Sequence, residues 1–287
     1  MSGGVRGGML FIDGIAFWAP TLPGWTAARA AFRGESEPLA TPAKRPAPAL
    51  LAAAERRRAP DTVALALEVA AAAVLESGLD AATLPSVFTS AHGDLAVNDY
   101  MCSTLATEPT LISPTKFHNS VHNAAAGYWT IATGCREAST ALSASEASFG
   151  AGLLEAATQC QADARSVLLV GVDVEAVGAL ASGTASTGLL ACALVLSPRA
   201  SERTVATFHW SLVAGKTVAT PLRSAAARSL GGNAIAGALP LFEAIADAEP
   251  GAAAGAIALA LAPSLALVLV ATASAPVAGT ATPALAS

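Results

Sequence analysis

Four short, almost unbroken apolar runs constrain this chain more than any other feature: Ser166–Val172 (SVLLVGV), Leu189–Leu196 (LLACALVL), Ala256–Leu261 and Leu265–Thr272. Each is short for a buried helix, and strands read as continuous apolar runs when both faces of their sheet are covered. Helical patterns lie between such runs. That alternation is the signature of an α/β protein built around a buried sheet.

The remaining elements follow from local signals. Met9–Ala16 predicts a first strand and Trp25–Phe32 a short helix, and Glu35–Ala59, rich in Pro, Ala and charge, predicts an irregular surface excursion. Asp61–Leu75 follows Pro60 and precedes Gly78, which predicts a helix with Asp61 as N-cap. Ser86–Ser90 and Ala138–Ser143 predict strands; Leu95–Ala106, Ser120–Thr133 and Glu146–Cys160 predict helices. After a polar connector at Ser197–Thr204 come a strand at Val205–Leu212, a helix at Gly231–Ala246 and the last two apolar strands, turned at Ala262–Ser264. The second part of the chain repeats the first in shortened form.

The chain has 287 residues, 13% of them charged and 53% hydrophobic, with a net charge of −5. The acidic balance argues against nucleic acid, and the composition excludes intrinsic disorder. A mean hydropathy of +0.53 raises the question of a membrane. Gly255–Ser274 is about as long as the roughly 20 residues of a spanning helix. It is rich in alanine, is cut by Pro263 and Ser264, and has no flanking Lys or Arg, so two buried strands are expected there and no membrane association. Asp13 interrupts the early apolar run, and no cleavage site follows it, so no export signal is read and a cytoplasmic location is expected. Cys102, Cys135, Cys160 and Cys192 show neither CxxC pairing nor His partners, which supports neither a zinc site nor a disulfide framework.

Several polar residues invite a functional reading that a simpler one matches. His118 and His122 have the spacing of two metal ligands on one helical face, yet no third ligand accompanies them, so packing or partner contact accounts for them. His92-Gly93-Asp94 resembles an acid/base pair, but an Asp capping the next helix suffices. Gly231-Gly232 lacks the Lys and Ser/Thr of a phosphate loop and fits a tight turn. Arg56-Arg57-Arg58 fits an acidic carrier protein or a solvated surface.

The stretch from Asn123 to Ala176 resembles β-ketoacyl synthases of the thiolase fold. Asn123, Ala126 and Gly127 match an N-x-x-A-G helix, and Gly171 and Glu175 approximate a strand ending in G-G-x-E. Glu55–Val74 is similar to the family's early helix, and LFIDGIAFWAP to its first strand. The resemblance implies a five-layer α-β-α-β-α fold with a shortened C-terminal half: one compact unit, with residues 1–197 as the ketosynthase-like half and 198–287 as the abbreviated one. It implies no cofactor and no metal.

In an active member, a cysteine at a strand-to-helix turn accepts the acyl chain, and two histidines assist decarboxylation of the malonyl unit. Counted from Gly134, the cysteine position falls on Glu146, or on Ser145 after a slip of one residue. Leu230–Ile245 (LGGNAIAGALPLFEAI) resembles the family's G-H-x-x-G-A-A-G helix with Asn233 in the histidine position. Asparagine carries no titratable proton. The loops of the second histidine and of the chain's close have no counterpart. The resemblance thus implies a non-catalytic subunit, similar to the chain-length-factor-like subunits of aryl polyene biosynthesis. Such a subunit heterodimerises with an active β-ketoacyl-ACP synthase, shapes its acyl tunnel and contacts an acyl carrier protein. The alternative is an active synthase or malonyl decarboxylase working through Glu146 or Ser145. A third reading, a membrane anchor at Gly255–Ser274, stands or falls with detergent-free solubility.

Overall fold

A computed structural model of the chain describes residues 5–184, 186–215, 218–248 and 255–272. Its elements in chain order are β1 (Val5–Ala19), β2 (Leu22–Pro23), α1 (Trp25–Phe32), α2 (Ala53–Arg58), α3 (Asp61–Ser77), β3 (Ser86–Thr89), α4 (Leu95–Thr107) and α5 (Pro114–His118). Next come α6 (Ala124–Thr133), β4 (Ser139–Leu142), α7 (Ser148–Ala162), β5 (Val167–Asp173), β6 (Leu190–Ser197), β7 (Ala206–Ala214), α8 (Ala225–Leu230), α9 (Leu239–Ala246), β8 (Ala256–Ala262) and β9 (Leu265–Ala271).

The strands form one mixed sheet in the order β4-β3-β5-β6-β1-β7-β9-β8, with β2 beside β1. β3 runs parallel to β4 and β5, and the other neighbours are antiparallel. Around the β1–β7 pair the order repeats: β9 and β8 follow β7 as β6 and β5 follow β1. β5 and β6 are buried along their whole length, as their unbroken apolar sequences require.

Helices explain that burial. α3 packs on β1, β6 and β5, and its Val63, Leu67, Ala70 and Val74 join Trp18, Leu168, Val170 and Val195 in one core. α7 covers the opposite face of β3 and β5, bringing Phe149, Leu153 and Cys160 into a second core with α9 and the inner residues of β7, β8 and β9. Phe242 of α9 is a hub of this second core, with ring centroids 5.6 Å from Phe17, 5.8 Å from Trp25 and 6.3 Å from Phe149. Two glycines set the layer spacing. A Cβ on Gly14 would collide with the Ala73 carbonyl oxygen of α3, and one on Gly152 would lie 2.8 Å from Thr89 Cγ2. Asp13, which breaks the apolar run of β1, sits where the β1–β6 register shifts and accepts a 2.7 Å hydrogen bond from the Thr204 hydroxyl.

Gly255–Ser274 is accounted for by β8 and β9 up to Thr272, and its last two residues lie outside the described residues. Among the described residues no helix is long and apolar enough to cross a membrane. The two ends of the sheet differ. On β8, Ala258 N donates to Thr220 Oγ1 at 2.9 Å and its carbonyl accepts from Thr220 N at 3.0 Å, next to Pro221, which blocks further pairing. β4, at the other end, is exposed at Ser139 and half-buried over its other residues, and among the described strands only β3 pairs with it.

Four expectations are corrected. Glu35–Ala59 is not irregular throughout, because α2 forms within it. Asp61 is the first residue of α3 rather than its cap: Pro60 holds the cap position, and the Asp61 carboxylate pairs with Arg45 at 3.1 Å. The helix expected over Ser120–Thr133 begins at Ala124, which leaves His118 on α5 and His122 in the connection, on no common helical face. Gly231–Ala246 is not one helix either. Residues 231–235 are turns, a 3-10 turn spans Ala236–Ala238, and α9 starts at Leu239 with Pro240 in its first turn, where a missing N–H does no harm.

Candidate functional site

The carboxyl ends of the parallel strands β3, β4 and β5 lie side by side, the place where open α/β sheets form a crevice. Asp173, the last residue of β5, is fully buried there. Its carboxylate accepts from the Ser90 hydroxyl at 2.7 Å, from Ala91 N at 2.8 Å and from His92 N at 3.2 Å, so it fixes the segment leaving β3. Ser90 Oγ in turn accepts from Gly93 N at 2.8 Å. Burial holds the Asp173 carboxyl above the usual carboxylate range, and the bonds from Ala91, Ser90 and His92, with the nearby His92 imidazole, oppose that rise.

Asn233 lies on the other side of Asp173. Its amide nitrogen donates to the carbonyl oxygens of Asp173 at 3.2 Å, Thr187 at 3.1 Å and Gly188 at 3.1 Å, and its Oδ1 accepts from Ile235 N at 3.1 Å. Every polar atom of this buried side chain is therefore engaged in holding backbone. Beside it, Thr187 N donates to the Gly232 carbonyl at 2.9 Å, and a Cβ on Gly232 would run into Thr187 Oγ1. The Gly231-Gly232 pair thus provides close packing at a turn.

The expected nucleophile positions sit on the turn between β4 and α7. Glu146 does not begin an α-helix: it lies in a 3-10 turn at Ser145–Ala147, exposed, and α7 starts at Ser148. Ser145 is exposed with φ 51°, the left-handed region that few non-glycine residues adopt. Ser148 builds the turn, its hydroxyl donating to Ser145 O at 2.7 Å and accepting from Ala144 N at 2.9 Å. Ser143 Oγ donates to Ala91 O at 2.9 Å and ties this turn to the segment held by Asp173. Glu175 is exposed just beyond β5.

None of the cysteines lies on that turn. Burial pushes the Cys160 thiol up to about 12 and raises that of Cys192 as well, Cys135 is buried, and Cys102 is exposed on α4. A thiol held protonated by an apolar core is a poor nucleophile.

The other candidates separate. Asp94 caps α4 by accepting from Val97 N at 2.9 Å, and its second oxygen takes the Thr62 hydroxyl at 3.1 Å. His118 stacks edge-on against Tyr128 with ring centroids 6.0 Å apart, while His122 Nε2 meets Ser90 O at 3.0 Å. Among the described residues no three His, Cys, Asp or Glu side chains converge as metal ligands. Arg56 donates to Leu51 O at 2.9 Å, and Arg57 and Arg58 are exposed.

Sequence reasoning missed Asp173, Ser90 and Glu243. Glu243 is buried in α9 and accepts from Arg223 N at 3.0 Å and Ser224 N at 2.6 Å, which anchors the start of α8. The available signal for Asp173 and Glu243 was a lone acid in or at the end of an apolar element (VLLVGVD, LPLFEAIA), since a charge so placed must have partners.

Comparison with known proteins agrees with this architecture. The sequence profile of the β-ketoacyl synthase N-terminal domain matches residues 30–249. Among solved structures, a chain of the complex of ketosynthase ApeO with its chain length factor ApeC from Xenorhabdus doucetiae superposes with a TM-score of 0.69 at 22% identity, over 91% of this chain and 99% of that one. A chain of AntDE:AntF, a type II polyketide synthase acyl-carrier protein in complex with its ketosynthase, gives a TM-score of 0.72 at 13% identity, over 94% and 100%. The ishigamide ketosynthase/chain length factor gives 0.67 at 16% identity, over 92% and 99%. These likenesses show the thiolase-like fold. No curated protein matches the chain.

Proposed function

The chain belongs to the β-ketoacyl synthase family, and from that membership we propose that it is a non-catalytic subunit of the chain-length-factor type, which heterodimerises with an active β-ketoacyl-ACP synthase and shapes the tunnel for its growing acyl chain. The observation that carries the reading is the state of Asn233. In the position where the resemblance expects a histidine, this side chain spends all its hydrogen bonds on backbone groups and can move no proton. Glu146 at the nucleophile position adds to it: an acyl adduct on a carboxylate is a mixed anhydride, too labile to hold a chain.

A lost nucleophile leaves the scaffold intact, since tunnel wall and dimer surface need only packing. The free edge of β4 offers backbone donors and acceptors to a partner strand, and Leu105, Leu111 and Phe117 between β3 and β4 are exposed apolar residues of the kind that interfaces cover. Aryl polyene biosynthesis, an acyl carrier protein as a further contact and a cytoplasmic setting complete the proposal, as do two halves at residues 1–197 and 198–287, which the repeated strand order supports.

Co-expression with a candidate ketosynthase followed by size-exclusion chromatography tests the pairing. A heterodimer peak is expected, and two independent peaks count against it. The competing reading, catalysis through Ser145 or Glu146, draws on their exposure and on the left-handed backbone at Ser145. It requires a covalent acyl adduct by mass spectrometry or decarboxylation that disappears in Glu146→Ala.

A further inference from the structure

The arginines of α1 stand beside a cleft that the proposed pairing leaves unused. One face of α1, the first residues of β7 and the ends of α9 and β9 enclose about 920 Å3, within the roughly 300–1,000 Å3 of small-molecule sites. The cleft lies at the far end of α9 from the Glu146 turn, which abuts the approach to that helix: a Cβ on Gly237 would lie 3.5 Å from the Glu146 carbonyl oxygen. It shares no lining residue with the crevice at Asp173. Trp25, Phe208 and Ile245 make much of its surface apolar, and Val205 in its wall is 42% exposed, a side chain that gains from being covered.

The polar groups in the lining are unevenly satisfied. Arg29 Nε and Arg33 Nη1 both point at the Ala246 carbonyl that ends α9, each at 3.4 Å, longer than an ordinary N–H···O bond. Arg33 also pairs with Glu35 at 2.5 Å, and Glu76 Oε2 accepts from Ile15 N at 2.9 Å. Arg29 makes no ion pair among the described residues, so the terminal nitrogens of its guanidinium keep their donors for a ligand. Thr272 Oγ1, also in the lining, is buried without a hydrogen-bond partner, a state that calls for a group to bond it. Glu35 and Glu76 set two acids against the two arginines, so a singly charged anion is admitted more readily than a doubly charged one.

We propose that this cleft binds a small organic monocarboxylate, with its carboxylate on the Arg29 guanidinium, Thr272 Oγ1 as a second polar contact and its apolar body against Trp25, Val205 and Ile245. The planar guanidinium fork matches the two oxygens of a carboxylate, which gives orientation, and the apolar wall supplies the remaining affinity.

Isothermal titration calorimetry on this chain alone tests the site, so its outcome is independent of whether a ketosynthase partner binds. Naphthoate is the probe, beside its neutral twin naphthamide and the more highly charged naphthyl phosphate. Naphthoate binds saturably, naphthamide binds about tenfold or more weaker, and naphthyl phosphate binds no tighter than naphthoate. Arg29→Ala weakens naphthoate by about tenfold or more, and Thr272→Val, which keeps the shape and removes the hydroxyl, by about two- to tenfold. Arg29 is exposed and Thr272 follows the last residue of β9, so circular dichroism of both variants stays native. No saturable binding of naphthoate, equal binding of naphthamide, tighter binding of naphthyl phosphate, or unchanged affinity in either variant overturns the proposal.

Discussion

The Asp173 main-chain carbonyl accepts from the Asn233 amide at 3.2 Å while the Asp173 carboxylate accepts from the Ser90 hydroxyl at 2.7 Å. One residue at the end of β5 therefore joins the segment leaving β3 to the turns that precede α9. The buried carboxylate of Asp173 and the buried amide of Asn233 both hold backbone groups of neighbouring segments.

Asp173→Ala removes the acceptor for one hydroxyl and two N–H groups and should cost about 2–4 kcal/mol in urea denaturation. The pH dependence has a definite sign. Burial raises the Asp173 carboxyl above its ordinary value, so the folded protein binds that proton more tightly than the unfolded chain does. The stability this group contributes is present at acid pH and is lost as pH rises from the ordinary carboxylate value through the raised one. The decline should be absent in Asp173→Asn when its urea midpoints are compared with wild type across that range.

Gly14→Ala places a methyl group against the Ala73 carbonyl oxygen, a backbone atom that cannot rotate away. Thermal unfolding should show a loss of about 3 kcal/mol, at the upper end of overpacking effects. Gly134→Ala, in open space at a helix end with φ 68°, should lose only about 1 kcal/mol, from its left-handed backbone.

Much of this fold is legible in the sequence where a single segment carries the whole signal. α1 begins and ends as its pattern predicts, β5 and β6 follow from their apolar runs, and α3 ends where Gly78 takes a left-handed φ of 69°. What escaped is what depends on distant partners. The expected helix at Gly231–Ala246 fails at Asn233, whose side-chain oxygen takes the Ile235 N–H while its amide nitrogen is held by carbonyls of residues 173, 187 and 188, although Pro240 already marked a helix start at Leu239. The roles of Asp173 and Glu243 are set by N–H groups at least 19 residues away, and no local pattern carries that information. The strand order around β1 and β7 is a matter of tertiary packing in the same way.

Thiol labelling separates the cysteines without any assay of function. Cys102 should react with a maleimide in the native protein at the rate of an exposed thiol, and Cys135, Cys160 and Cys192 only after unfolding. Native labelling of Cys160 or Cys192 would show that the core around α7 and β6 opens to solvent.

Whether this chain supplies only surface to a ketosynthase pair, as proposed, is decided by a mass-spectrometric measurement of chain elongation from acyl and malonyl thioesters. The chain alone, a candidate ketosynthase alone and the co-purified pair are compared. Elongated product is expected from the pair and none from this chain by itself; condensation by the isolated chain would show that it carries its own chemistry.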